Sequence, residues 1–461
     1  MIEQAVARRV LEAALTTGGD FSELYVEDKE SNRIAMIDGA VESATSSHSR
    51  GAGVRILRGT RSVYAYSADT REEALLATAK AAASALDGVG EGQVLRFAAT
   101  DYRTDPRIPF SSVNNAMRVE LLKRGGQAAK DYSPEITQVT ASLIDVDQRV
   151  LVCNSEGVWA EDRRPRTRLA VEAVAMAGGE AQTGHRAPGL GMGFEAFEQI
   201  DIEGEAQRAA QIAVTMLHAP ECPAGFVPVV IDGGFGGVIF HEACGHSLEA
   251  TAVAKGNSEF CGKLGQKIAA DCVSAVDDGT IAGAWGSIGM DDEGTPSRRR
   301  VLIENGILKS YMIDLLGSRL MGMPITASSR RQDYSFAPTS RMTNTFIAPG
   351  TDDEEEMIRT MGDGLFAKSM GGGSVNPVTG EFNFAVDEGY WVKDGRIVTP
   401  VRGATLVGKG SEILLRIDRV GHHMWMGQGM CGSVSGSIPT NVGQPRIRVS
   451  GVTVGGKGGA I

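Results

Sequence analysis

The stretch FVPVVIDGGFGGVIFHEACGHSLEAT, residues 226–251, decides how this chain is read. Its opening FVPVVID reads as a strand, Gly233 to Gly237 form a turn, and a helix follows that carries His241, Glu242 and His246. Many zinc peptidases place two histidines around a glutamate as H-E-x-x-H, with both imidazoles as ligands and the carboxylate activating water. Here the spacing is one residue longer. In an ideal α-helix an i, i+4 pair is separated by about 400°, nearly one face, whereas an i, i+5 pair diverges by roughly 140°. The two rings therefore converge only if the helix is distorted, as by a π-type bulge, a feature found mostly at functional sites. Gly245, just before the second histidine, has no Cβ and is free to take unusual dihedrals. The competing reading is a pair of buried core histidines.

A catalytic zinc takes three protein ligands and leaves one position open for water. Candidates for the third ligand are Cys431 in the Gly-rich loop GQGMCGSVSG, Cys244, Glu249, and the pair His422-His423. Cys244 lies between the motif histidines, where its side chain points elsewhere. Cys431 read blandly is a small buried hydrophobe.

Around this motif the chain divides into an α+β N-terminal domain, 1–195, a connecting helix and loop, 196–219, and a Gly-rich, β-dominated C-terminal domain, 220–461, with one metal-binding helix. Ile2, Val6 and Val10 mark an amphipathic first helix. SELYVED, RIAMIDGAVES, GVRILRG and RSVYAYS then read as short strands, with a hairpin turn at Asp38-Gly39. A helix follows over 71–86, and Thr70 and Glu73 have capping-box spacing. The order then repeats: a helix over 114–130, the strands ITQVTASLIDV, RVLVCNS and RLAVEAVAM, and a helix near 205–217 with Ala206, Ala209, Ala210, Ala213, Val214 and Leu217 on one face. This hints at a duplicated unit. Further on, Asn305-Gly306 and Asp394-Gly395 mark two more hairpins.

Composition narrows the function. The net charge is −11 and the 46 basic residues are scattered, which disfavours nucleic acid as a partner. The apolar run ending at Phe240 is broken by Asp232 and is too short to span a bilayer, so no membrane association is expected. Six cysteines without framework spacing, and no secretory pattern at the start, point to reduced thiols in the cytoplasm. GGFGG lacks the dinucleotide spacing and VGGKGG lacks that of a P-loop, so both read as turns or tail. Asp291 and Asp292 in GMDDEGTP suit a turn before a strand, or a ligand.

HEACGHSLEA, DDEGTPSRRRVLIENGILKSYMID, RRQDYSFAPTSRMTNTFIAPG, PVRGATLVGKG and MCGSVSGSIPTNVGQP together resemble the TldD branch of the TldD/PmbA (TldD/TldE) family, with NSEGVWAEDRR a fainter echo in the N-terminal half. The resemblance implies a zinc metallopeptidase acting on unfolded or short peptides. It implies His241, His246 and Cys431 as zinc ligands and Glu242 as the base, the set that the inactive TldE/PmbA branch lacks. It further implies a two-fold dimer, either a homodimer or a heterodimer with a TldE/PmbA-like sister subunit. One departure stands out: the family commonly reads Cys-Gly-Lys-x-Gly-Gln where this chain has Cys431-Gly432-Ser433-Val434-Ser435-Gly436. His422 and His423 match no family metal position and read as structural or surface residues. Tyr334 and Arg341 are candidate substrate-binding, oxyanion-side donors. Two rival functions are a non-enzymatic regulatory or scaffold protein, and a peptidase dedicated to one precursor.

Overall fold

The computed structural model describes residues 1–376 and 378–459. The N-terminal half is built from α1 (Gln4–Leu15), β1 (Phe21–Ile37), β2 (Ala40–Arg58), β3 (Arg61–Ser67), α2 (Glu72–Ala83) and β4 (Ala98–Asp101). It continues with α3 (Asn115–Lys130), β5 (Ile136–Asn154), β6 (Val158–Ala177), β7 (Glu180–Arg186), β8 (Gly189–Leu190) and α4 (Ile202–Leu217). Helix, three-strand meander, helix thus occurs twice, and the two meanders join through antiparallel β1 and β5 in one sheet ordered β3-β2-β1-β5-β6-β4. All of its pairings are antiparallel except β4 with β6.

The strands are longer than their sequence signals suggest. SELYVED and the RIAMI that opens RIAMIDGAVES are one strand, because the polar residues 29–32 between them are paired on one edge to β2 and on the other to β5, while AVES after the turn begins β2. A central strand with both edges bonded has no unsatisfied backbone group to release at a turn. The turn at Asp38-Gly39 forms as expected, with φ of 47° and 80°. The capping box does not form: Arg71 takes the N-cap position without a side-chain cap, and Asp69 instead accepts from the backbone and guanidinium of Arg71. The box spacing misses because the helix begins one residue later than Thr70 requires.

The C-terminal half carries β9 (Gly225–Ile231), β10 (Ala275–Asp278), β11 (Arg299–Glu304), β12 (Ile307–Leu308), β13 (Ser329–Arg330), β14 (Thr339–Ser340), β15 (Asn344–Ile347) and β16 (Gly364–Val375). Then come β17 (Glu381–Lys393), β18 (Arg396–Val401), β19 (Thr405–Lys409), β20 (Ile417–Val420), β21 (Trp425–Ser433), β22 (Gly436–Gln444) and β23 (Ile447–Gly455). Strands β9, β23, β19, β17 and β16 pair in a closed circuit, a small barrel. A second sheet runs β12-β11-β10-β15-β22-β21 and ends on the edge strand β21. The segment after β9 runs between barrel and sheet: Val238, Ile239, Phe240, Ala243 and Cys244 share one core with Leu365, Phe384 and Leu406 of the barrel and Ala275, Ile347 and Val442 of the sheet. Gly410 is required there, since a Cβ would come within 2.3 Å of the Ala243 carbonyl oxygen.

The underside of the N-terminal sheet meets the C-terminal half through a buried ionic layer. Arg331 bonds Glu23 at 2.6 Å, Arg164 bonds Asp292 at 2.7 Å, and Arg55 pairs with Glu293. Asp291 and Asp292 are consumed by this framework, Asp291 by the backbone amides of Glu293, Thr295 and Ser329, and Asp292 by Arg164 and the Arg331 amide. Against the effect of burial, Arg164 and Arg331 hold the pKa of Asp292 below the usual range, whereas burial pushes that of Asp291, bonded only to backbone amides, up to about 8. The layer fixes residues 329–331, and with them the β13–β14 hairpin that leads into Arg341. Among the described residues no helix is long and apolar enough to cross a membrane.

Candidate metal centre

The long spacing of the motif is resolved by the backbone. Phe235–Gly237 is a 3₁₀ turn, Val238–Phe240 is α-helical, His241–Gly245 is π-helical, and His246–Leu248 is again 3₁₀. The amide of His246 donates to the carbonyl of His241, an i→i+5 bond that stacks the second histidine one turn above the first. The ring centroids lie 5.2 Å apart at 84°. Gly245 is needed for a different reason than the sequence suggested. Its dihedrals, φ −55° and ψ −54°, are ordinary helical ones. A Cβ there would lie 2.3 Å from the sulfur of Met342, so the glycine makes room for the neighbouring segment.

Strand β21 brings Cys431 to the same point. Its sulfur lies 3.2 Å from Nε2 of His241 and 3.2 Å from Nε2 of His246, and the three donor atoms fall within 4.8 Å of one another. With the usual Zn–N and Zn–S bonds, the N···S edge of a zinc tetrahedron is about 3.6 Å, close to these separations. Burial works against ionising Cys431, but the charges of the two imidazoles and their hydrogen bonds hold its pKa down to about 3. The donor set is then two imidazoles and a thiolate, which suits zinc. Cys244, on the same helix, is the opposite case: burial pushes its thiol well above the ordinary value, and it lies in the apolar core.

Glu249 is not a third ligand. Its Oε2 lies 3.2 Å from Nδ1 of His246, on the ring's far side from Cys431. A carboxylate there fixes the tautomer and turns Nε2 toward the metal position. Burial alone lowers the His246 pKa, yet Glu249 and Cys431 outweigh it and hold it well above the ordinary imidazole range. The proton so retained occupies a place that a metal ion takes on binding. Glu242 lies next to the pair, with Oε2 3.7 Å from Nε2 of His246 and its side chain 27% exposed, so it is the one acid of the motif open to solvent.

Arg341 is fully buried. Its guanidinium donates to the carbonyl of Cys431 at 2.5 Å, and to Ser435 Oγ and the Gly436 carbonyl at 3.0 Å each. With those donors spent inside the protein, Arg341 positions the cysteine strand and offers no exposed donor to a substrate. Ser435, one of the residues that departs from the family loop, is itself buried and used in this contact. Tyr334 lies in the layer under the N-terminal sheet, where its amide donates to Glu27 and its carbonyl accepts from Tyr64. Among the described contacts its phenol touches none of the three metal-site residues.

Three consecutive family descriptions match the chain: PmbA/TldA metallopeptidase domain 1 over residues 22–86, the central domain over 108–217, and the C-terminal domain over 224–456. The chain belongs to the PmbA/TldD metallopeptidase family. A metalloprotease TldD homolog of Haemophilus influenzae is 33% identical over 460 residues, spanning 95% of this chain and 93% of the relative. A zinc metalloprotease TldD homolog of Saccharolobus solfataricus is 30% identical over 262 residues, 57% of this chain and 58% of the relative. TldE from Thermococcus kodakarensis shares the fold, with a TM-score of 0.75 at 19% identity over 95% of this chain and 97% of that one. Within this TldD/PmbA family the present chain keeps the two histidines, the intervening glutamate and the cysteine together in space.

Proposed function

We propose that this TldD-type metallopeptidase hydrolyses peptide bonds of short or unfolded peptides, with zinc held by His241, His246 and Cys431 and Glu242 as the catalytic acid and base. The observation that carries the reading is the convergence of two imidazoles and a thiolate at 3.2 Å across a π-helical turn, with a solvent-open carboxylate beside them. Zinc at such a site supplies Lewis acidity and lowers the pKa of a coordinated water to about 7. The remaining work belongs to the chain. Glu242 accepts the proton of the attacking water and returns it to the leaving amine. Glu249 keeps His246 turned toward the site, and Arg341 holds the backbone of Cys431 in register.

The proposed assembly is a two-fold pair, of this chain with itself or with a TldE-like sister; the fold shared with TldE supports the second as an equivalent building block. The proposed compartment is the cytoplasm, where six unpaired cysteines stay reduced. The test is peptide hydrolysis by Glu242→Gln at matched zinc content. Loss of turnover by about 100-fold or more with zinc retained supports the assignment. Unchanged turnover overturns the role of Glu242, and absence of turnover in the zinc-loaded parent leaves a scaffold role.

A further inference from the structure

A second constellation of metal-binding groups lies outside the site described above. His422 and His423 occupy the short turn between β20 and β21, and Glu354 opens the helix Glu354–Arg359. One potential ligand atom from each of the three falls within 4.8 Å of the others. Neighbouring residues in an extended chain usually point to opposite sides, yet these two rings lie on the same side, with centroids 4.0 Å apart.

The arrangement is held in place before any ion arrives. The backbone of Gly421 is clamped on both sides, donating to the Arg446 carbonyl at 2.8 Å and accepting from the Gly350 amide at 2.7 Å. Glu354 folds over Gly421 so closely that a Cβ there would lie 2.5 Å from its Oε1. The same Oε1 accepts from the His423 amide at 3.1 Å, and Oε2 lies 3.4 Å from His423 Nδ1. His422 Nδ1 lies 3.2 Å from the Asp352 carbonyl. A carbonyl only accepts, so this nitrogen carries the proton and Nε2 keeps the lone pair that binds metals. Glu354 lies in the acidic run Asp352 to Glu356, of which Asp352 pairs with Arg419 and Glu356 with Arg359.

We infer that His422, His423 and Glu354 form a second, solvent-facing site for a divalent transition-metal ion, of the class that favours imidazole and carboxylate ligands. Zinc, nickel and copper(II) fit this donor set, with water completing the coordination shell. Both histidines are exposed, His423 with 62% of its side chain open, so the site exchanges with bulk ions. A bound ion bridges the start of the helix Glu354–Arg359 and the turn that leads into β21, the strand of Cys431. It fastens that turn and takes no part in hydrolysis.

The test uses the full chain, freed of metal and dialysed against micromolar free Zn²⁺, with zinc per chain measured for the parent, His422→Ala/His423→Ala, and Glu354→Gln. The expected result is two equivalents in the parent and one in the double variant, with peptide hydrolysis unchanged. Copper(II), added at one equivalent to chain whose first site already holds zinc, is expected to show nitrogen superhyperfine coupling in electron paramagnetic resonance, and to lose it in the double variant. Equal zinc content in parent and double variant, or a copper spectrum that survives the substitutions, overturns the inference. Circular dichroism checks that each variant is folded, and Glu354→Gln, with its shape kept, gives an independent reading through weakened zinc retention.

Discussion

The guanidinium of Arg341 donates to the backbone carbonyl of Cys431 at 2.5 Å while its Nε lies 3.9 Å from the Glu249 carboxylate, which in turn holds His246. One buried side chain thus connects the supports of two candidate metal ligands that are 185 residues apart in sequence.

This connection predicts the outcome of Arg341→Lys. A lysine keeps the charge but cannot reach Cys431, Ser435 and Gly436 with a planar fork. Zinc affinity is expected to fall by about 10- to 100-fold, the usual effect of losing an outer-shell partner. Competition with a chromophoric chelator measures it. Parent-like affinity would show that the strand of Cys431 holds its position unaided.

Glu249→Gln separates orientation from ligation. The amide keeps the size of the carboxylate but can present its NH₂ to the ring, which favours the wrong tautomer of His246. Zinc is expected to remain bound at about one-tenth to one-hundredth of parent affinity. Complete loss of zinc would instead make Glu249 a direct ligand.

Gly245→Ala tests the packing of the π turn. The new methyl meets the Met342 sulfur at 2.3 Å, and overpacking of this kind costs about 1–3 kcal/mol. Thermal unfolding should show the loss, and Met342→Ala in the same chain should recover part of it by removing the obstruction. A penalty that the second substitution leaves untouched would point to backbone dihedrals as the cause.

Asp314 predicts a pH dependence away from the metal site. Burial, reinforced by Glu293 and opposed by Arg55, pushes its pKa up to about 7. A carboxyl whose pKa is raised on folding favours the folded state while protonated and loses that advantage as pH rises from the unfolded value toward the folded one. Asp314→Asn keeps the capping acceptor for Gly317 without the charge. Its gain in stability over the parent should be small near pH 4, grow with pH, and level off above about 7. A gain that shrinks as pH rises would reverse the assignment.

Much of the candidate site was legible in local sequence because its chemistry is local. Two histidines around a glutamate announce themselves, and the excess residue requires a distortion that the π turn supplies. The hairpins at Asp38-Gly39, Asn305-Gly306 and Asp394-Gly395 were legible for the same reason, and all six residues have positive φ. What sequence could not show depends on partners distant in the chain. The polar residues 29–32 resemble a turn until β2 and β5 are seen on either side. Gly245 looks like a conformational device until Met342 is placed against it. Glu249 and Arg341 have the chemistry of a ligand and an oxyanion donor, and only the fold shows that their groups are turned to supporting roles.

The most direct test of the central claim is zinc K-edge X-ray absorption on the purified chain, read together with zinc content in Cys431→Ser. The account predicts one sulfur at about 2.3 Å and two imidazole nitrogens at about 2.0–2.1 Å, with the sulfur contribution abolished by the substitution. For that measurement the second site is emptied by the His422→Ala/His423→Ala background, so that one ion is observed. A spectrum with no sulfur in the first shell, or one unchanged by Cys431→Ser, would contradict the assignment of the site.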